Sequence, residues 1–495
     1  MNGNSMHNQR QARHTHSTRE TSMYDCTRNY INGQWQESGS LEIRDIINPA
    51  NGKCVGKIRM GNEDDVNAAV AAARAAFKDY SAWSVAKRLE LMENILAGYQ
   101  ARYDEFAAAI TAEMGAPVTL SKKAQAAMGM AHIQATMEAL KNLGWEERAG
   151  NSAVIREAVG VCGLITPWNW PINQVACKVA PALAAGCTMV LKPSEIAPVD
   201  ATLFAEVLDA AGVPPGVFNL VHGDGPNVGA AMSAHPDIDM MSFTGSTRAG
   251  ILVAKAAADS VKRVAQELGG KSPNIIMETA PIEEAVSSGV RECFSNTGQS
   301  CNAPTRMLVP QQRFEEAVSV ARATAERIRV GDPEDPETQM GPVISETQYG
   351  KIQALIEAGM EEGARLVTGG LGKPEGLEAG NYVKPTIFAD VNNQMTIARE
   401  EIFGPVLTMI PYSNLEQAIE IANDTPYGLS AYVYGADKDE AMAVARRLRA
   451  GMVHLNGAGV DIAAPFGGYK QSGNGREWGA HGLEDFLETK AIMGA

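Results

Sequence analysis

One of the seven cysteines in this chain sits where a thiol could react. Cys301 lies in the stretch 296–306, Asn-Thr-Gly-Gln-Ser-Cys-Asn-Ala-Pro-Thr-Arg. Small and polar neighbours leave a sulfur accessible and let the backbone approach a ligand closely. Thirty-four residues earlier, Gln266-Glu267-Leu268-Gly269-Gly270-Lys271 sets a carboxylate before two glycines at the end of an apolar run. A thiolate nucleophile and a carboxylate base, each beside flexible backbone, suit covalent catalysis with a hydrolytic second half. The other cysteines, at 26, 54, 162, 177, 187 and 293, form neither a disulfide framework nor a C-x-x-C zinc pair, and no metal is expected. Cys162, Cys177 and Cys187 stand in apolar surroundings and read as small buried hydrophobes.

The elements that must position these groups follow from periodicity. A helical run from Ile282 to Phe294 leads into the Cys301 stretch, and an apolar strand, Met307-Leu308-Val309, leaves it. From Gly160 the chain alternates strands (161–165, 188–191, 217–221, 239–243) with helices, the pattern of a parallel sheet with covering helices. Ligands in such sheets bind where strand C-termini meet helix N-termini, so the turns at 166–171, 192–195 and 244–250 are candidate sites. Gly223-Asp224-Gly225-Pro226-Asn227-Val228-Gly229 nearly matches the dinucleotide glycine fingerprint, but its last spacing is one residue too long. It reads equally well as an ordinary strand-to-helix turn. Gly245-Ser246-Thr247 is better placed to offer free N–H groups to a phosphate. Upstream, residues 29–35 read as a hairpin turning at Asn32-Gly33, and 65–77 and 87–114 read as helices. Downstream, helices are expected over 312–328 and 348–362, and an extended tail over 483–492.

A length of 495 residues requires two or three packed domains, and 45% hydrophobic with 20% charged residues describes a globular protein. The net charge of −15 argues against a nucleic-acid or anionic-membrane surface. No apolar run approaches the roughly 20 residues of a membrane-spanning helix. Residues 1–23 lack the apolar core of a secretory signal and read as a disordered tail. A cytoplasmic location fits the unpaired cysteines.

Six motifs, in order, resemble those of the NAD(P)-dependent aldehyde dehydrogenase superfamily. They are Pro167-Trp168-Asn169, Leu191-Lys192-Pro193-Ser194-Glu195, Phe243-Thr244-Gly245-Ser246, Glu267-Leu268-Gly269-Gly270-Lys271, Gly298-Gln299-Ser300-Cys301 and Glu401-Ile402-Phe403-Gly404-Pro405. The resemblance covers nearly the whole chain from about Tyr24, and the wording is similar to a bacterial subgroup acting on terpenoid and cyclic-alkane degradation aldehydes. It implies an α/β fold: a Rossmann-like cofactor domain (24–140 and 160–270), an α/β catalytic domain (271–471) and a small β oligomerisation element (141–159 and 472–495). The last would add an extended segment to a neighbour's sheet in a homodimer or homotetramer.

Carried onto this sequence, the resemblance makes Cys301 the nucleophile that forms a thiohemiacetal and then a thioester. Asn169 becomes the oxyanion donor, Glu267 the base that activates water, and Lys178 with Glu477 a proton relay. Cofactor contacts fall to Ile165, Trp168, Lys192, Glu195, Gly225, Gly245, Ser246, Leu268, Glu401 and Phe403. Glu195 would accept from the ribose hydroxyls and repel a 2′-phosphate, so NAD is preferred, with NADP possible. The substrate tunnel would be lined by Trp170, Gln174, Cys177, Ser295, Asn302, Val460, Ile462 and Phe466. That set has no Lys or Arg to grip a carboxylate, so a medium-sized apolar aldehyde (terpenoid, aromatic or long-chain) is expected, with a carboxylated semialdehyde as the alternative. Outside this class, a cysteine hydrolase would need a histidine with an orienting partner, which no motif supplies. A non-catalytic binding protein would not need Cys301 and Glu267, and acyl transfer to coenzyme A would not need Glu267.

Overall fold

Four strands, Val161–Ile165, Thr188–Lys192, Phe218–Leu220 and Met240–Thr244, are buried along their whole length, as a sheet covered on both faces requires. With Arg263–Glu267 they run parallel, in the order Arg263–Glu267, Met240–Thr244, Val161–Ile165, Thr188–Lys192, Phe218–Leu220. The structure is a computed structural model describing residues 23–495; the tail expected over 1–23 lies outside the described residues except for Met23. Antiparallel strands close both edges and bring the sheet to eight. On one side the hairpin Arg28–Ile31/Gln34–Glu37 turns at Asn32 and Gly33, with φ of 52° and 75°. On the other, Gly473–Asn474 pairs with Gln266 and Glu267. Those two residues, expected in the oligomerisation element, thus belong to the cofactor-side sheet.

The helix Pro171–Ala185 is buried on every side, opens with proline at its first position and stops at Gly186, φ 91°. It places Gln174, Cys177 and Lys178 beneath the strand ends.

A second sheet of seven strands is built from residues 273–455. Its order is Arg365–Thr368, Thr386–Ala389, Val406–Tyr412, Arg306–Pro310, Pro273–Ile276, Ser430–Tyr434, Met452–Leu455, all parallel but for the first pair. The helix Ile282–Phe294 spans the expected residues and buries Ile282, Ala285, Val286, Gly289, Val290 and Cys293.

A small antiparallel sheet joins Glu146–Ala149, Ser152–Ala158 and Leu487–Met493. The extended tail expected over 483–492 is present from Leu487 onward as the strand Leu487–Met493, and only its start, Leu483 and Glu484, is helical instead. Gly479–Glu484 is helical because Gly482 can lie directly on the Glu477 backbone, where a Cβ would come within 3.0 Å of its carbonyl carbon. The strand that follows is taken up by this chain's own Ser152–Ala158, while Glu146–Ala149 is an exposed edge. Among the described residues, no helix is long and apolar enough to cross a membrane, and no three His, Cys, Asp or Glu side chains gather to hold a metal.

Candidate active site

The two large sheets meet at a cavity of about 560 Å³. Ten of the expected residues line it: Trp168, Asn169, Gln174, Gly245, Ser246, Glu267, Leu268, Cys301, Glu401 and Phe403.

The first sheet supplies its share from strand ends. Asn169 follows Val161–Ile165, Gly245 and Ser246 follow Met240–Thr244, and Glu267 ends its strand. Ser246 caps the helix Thr247–Ala257, its hydroxyl accepting from Ala249 N–H at 3.3 Å. Glu267 is held by its backbone. Gly245 N–H donates to its carbonyl (3.0 Å), and Leu268 N–H donates to Ser472 O (3.0 Å). Ser472 Oγ in turn donates to Gly269 O at 2.6 Å. Neither carboxylate oxygen of Glu267 has a hydrogen-bond partner within the protein.

The second sheet supplies Cys301, Glu401 and Phe403 from irregular backbone. Asn296, Thr297 and Phe403 adopt left-handed φ of 52°, 57° and 55°. Such a conformation costs a β-branched residue most, and strain of this kind gathers at functional sites. A hydrogen-bond mesh holds the strained loop. Asn296 Nδ2 donates to Asn169 O (2.9 Å) and Gln299 O (3.3 Å), Asn169 Nδ2 donates to Gln299 O (2.9 Å), and Thr297 Oγ1 donates to Gly341 O (3.1 Å).

Glycines let the two walls touch. A Cβ on Gly270 would fall 2.3 Å from Cys301 O, and one on Gly269 would fall 2.4 Å from Glu401 Oε2. Gly270 N–H donates to Glu401 Oε1 at 2.9 Å. The Gly269-Gly270 pair is therefore the joint between Glu267 and Cys301.

Burial dominates the electrostatics. It pushes the Cys301 thiol up, and Glu401 and Glu267 add to the shift. It raises Glu267 well above the carboxylate range, with Glu477 adding and Lys178 and Arg476 opposing. Glu401 is lifted to about 7 by burial, against the Gly270 N–H and Lys271. Each group is thus held toward its neutral form. Below Glu267, Lys178 and Glu477 form a buried ion pair; Lys178 Nζ also donates to Ser242 Oγ at 3.0 Å, and Cys177 Sγ lies 3.4 Å from Glu477 Oε2.

The remaining expected cofactor residues lie off the cavity wall. Ile165 is buried at its strand end, and Lys192 Nζ donates to Pro193 O and Gly223 O, both at 2.8 Å, with Glu195 at 3.7 Å. Gly225 opens a turn capped by Asp224, with no neighbour within 4 Å of where a Cβ would stand.

On the far side of Cys301, Cys177 and Phe466 pack with Leu429 and Trp478 in an apolar cluster that also takes in Ile462, Met128 and Cys301 itself. Trp170 Nε1 donates to Ser300 Oγ (2.9 Å), Asn302 O accepts from the Tyr432 hydroxyl (3.1 Å), and Ser295 is half-buried at the end of its helix. Val460 is not part of this apolar cluster. It is 44% exposed on the outward loop that turns at Asn456 (φ 49°) and Gly457 (φ 74°).

Sequence reasoning missed Trp478, whose ring lies 4.5 Å from that of Phe466 and is tilted 32° to it, although it adjoins Glu477. It also missed Gln348, whose amide donates to Ile402 O and Phe403 O and sets the strained Phe403 backbone; no motif marks it.

Residues 35–492 match the family model described as the aldehyde dehydrogenase family. The chain belongs to that family. Among aldehyde dehydrogenases it is 56% identical to a 3-succinoylsemialdehyde-pyridine dehydrogenase from a Pseudomonas species, over 95% of this chain and 99% of the relative. A mutant aldehyde dehydrogenase C from Pseudomonas syringae, solved with NAD+ and octanal, superposes with a TM-score of 0.94 at 51% identity, covering 95% of this chain and 97% of that one. A Mycobacterium tuberculosis aldehyde dehydrogenase complexed with NAD+ gives 0.93 at 41% identity, covering 95% and 99%.

Proposed function

We propose that this chain oxidises a medium-sized, largely apolar aldehyde to its carboxylic acid with NAD+. The observation that carries the reading is the convergence of Cys301, Glu267 and Asn169 on one cavity, with an apolar cluster on its far side. The residues present fit a dinucleotide. The cavity runs from the Ser246 helix start to Cys301, and Glu401 is fixed on Gly270 N–H where a ribose could meet it. Trp168, Gly245, Ser246, Leu268, Glu401 and Phe403 would hold the pyrophosphate and nicotinamide end, and Ile165, Lys192, Glu195 and Gly225 the adenosine end. Bound there, NAD+ supplies a hydride acceptor. Lys192 is already engaged by two carbonyls and Glu195, which leaves little to attract a 2′-phosphate and favours NAD+ over NADP+.

Cys301 attacks the aldehyde carbon once its proton has gone to an ionised carboxylate. The Asn169 amide has two N–H groups, of which Gln299 O occupies one; the other, with the Cys301 N–H, meets the developing oxyanion. Hydride loss leaves an acyl thioester on Cys301. Glu267 then takes a proton from water, which attacks that thioester and frees the acid. Lys178 and Glu477 pass the proton onward.

The apolar cluster supports a substrate of octanal's kind, including the terpenoid or cyclic aldehydes handled by the bacterial subgroup this chain resembles. The division into cofactor domain, catalytic domain and oligomerisation element, a homodimer or homotetramer built on the exposed Glu146–Ala149 edge, and a cytoplasmic location belong to the same proposal.

The test is NADH formation from octanal, benzaldehyde, geranial and succinic semialdehyde, each with NAD+ and NADP+, beside a Cys301→Ala control. Cys301-dependent turnover with kcat/KM highest for the apolar members supports the reading. Preference for succinic semialdehyde overturns the substrate class, and preference for NADP+ overturns the cofactor assignment.

A further inference from the structure

Between the helices Tyr103–Met114 and Ala126–Asn142 the chain makes a π-helical turn, Ser121–Gln125, in which the Ala126 N–H reaches back five residues to Ser121 O. Such a turn inserts one residue into the helical register and re-aims the side chain at its end, and it recurs at functional sites. Its start is pinned by Thr111 Oγ1 donating to Ser121 Oγ (2.8 Å) and Ser121 Oγ to Ala116 O (3.3 Å). Its end is Gln125, which is 0% exposed.

Gln125 Nε2 donates to Asn296 Oδ1 at 2.9 Å. That bond settles which way the Asn296 amide faces: with Oδ1 turned to Gln125, Nδ2 must face Asn169 O and Gln299 O. Those two carbonyls bracket the oxyanion site, because Gln299 O is also the acceptor for Asn169 Nδ2. Burying a primary amide is costly, and Gln125 Oε1 has no partner in the protein, so the donor is retained at the expense of an unsatisfied acceptor. An apolar side chain would fill the same space without that penalty.

We propose that Gln125 is a positioning residue for the Asn169 oxyanion donor, acting through the orientation of Asn296. The proposal rests on the oxyanion role assigned to Asn169 above. Without the Gln125 donor, the Asn296 amide is free to turn over, and the carbonyls of Asn169 and Gln299 lose the N–H that spaces them. The acylation half of the reaction then slows, while cofactor binding, on the other side of the cavity, is untouched.

A double-mutant cycle tests this. Gln125→Met keeps the length and removes the donor; it is made alone and with Asn169→Ala, and the pre-steady-state NADH burst with octanal is followed together with KM for NAD+. Removing a direct oxyanion donor slows a reaction by about 10²–10³-fold, so an indirect effect of about 10-fold on the burst is expected, with KM for NAD+ unchanged. In the Asn169→Ala background the same substitution should change the burst by less than about two-fold, because residues that act as a unit are not additive. An equal factor in both backgrounds overturns the proposal and makes Gln125 a packing residue. An unchanged burst in Asn169→Ala alone overturns the oxyanion reading itself, a distinguishable failure. Should Gln125→Met not fold, Gln125→Leu, which also lacks a donor, carries the cycle with the same expected and overturning results.

Discussion

The two walls of the cavity are built on different principles. The wall from the eight-stranded sheet carries Glu267 at the end of a parallel strand and Gly245, Ser246 and Asn169 in the turns that follow two others. The facing wall carries Cys301, Glu401 and Phe403 on backbone that leaves regular structure and takes left-handed φ at Asn296, Thr297 and Phe403. Regular structure positions by repetition. The irregular wall is positioned by side-chain amides and by glycines that permit contact closer than any Cβ allows. Glu267 thus sits on the stiff side and Cys301 on the strained side, and their joint is Gly269-Gly270.

The comparison can be broken most forcefully at the base. Glu267→Gln should leave the NADH burst intact and slow steady-state turnover by about 10²–10⁴-fold, the usual worth of a general base. Stopped-flow measurement of burst amplitude against kcat checks it, and loss of both together would mean that the stiff wall also sets the geometry of attack. Next comes the joint. Gly270→Ala drives a methyl to 2.3 Å from Cys301 O, so the nucleophile must shift. A displacement of that kind costs about 10²-fold in kcat/KM, and the overpacking costs about 1–3 kcal/mol of stability. Thermal unfolding beside aldehyde kinetics separates the two effects.

A smaller effect concerns Glu401. Burial lifts its pKa from 4.5 to about 7, so between those values the folded chain holds a proton that the unfolded chain releases. The group's contribution is then most favourable below about 4.5 and declines as pH rises toward about 7. Glu401→Gln should remove that part of the stability–pH curve, read by denaturant unfolding at several pH values, and an unaltered curve would show that Glu401 titrates normally. The smallest effect is expected at the near-fingerprint turn. Gly225→Ala meets nothing within 4 Å, so it should change stability by less than about 0.5 kcal/mol, in contrast with Gly270→Ala.

The same contrast explains what could be read beforehand. Strand–helix alternation and apolar runs revealed the first sheet, and the rule that ligands gather at strand ends pointed to Ser246 and the turn at Asn169. The helix Ile282–Phe294 was legible to the residue because its buried positions recur every three or four. Cys301 stood out by its small, polar neighbours. Glu401 and Phe403 were found only by resemblance, since no periodicity marks a residue held in left-handed backbone. Gln348 and Trp478 were not found, because each acts through a contact made by distant parts of the chain. The 44% exposure of Val460, on a loop turning at Asn456 and Gly457, was not legible either, because it follows from two left-handed residues that no periodicity marks. The tail read as wholly extended because hydrophobic alternation cannot register that Gly482 must lie on Glu477.

The clamp on Glu267 comes from the far end of the chain. Ser472 bonds to Leu268 and Gly269, and Gly473–Asn474 supplies the last strand beside Gln266 and Glu267. Protein synthesis is vectorial, so a sheet begun at residue 28 waits for residue 474 before its outer edge is paired. Glu477, the partner of Lys178, arrives later still. The backbone around Glu267 is therefore anchored only once residues some two hundred positions downstream are in place.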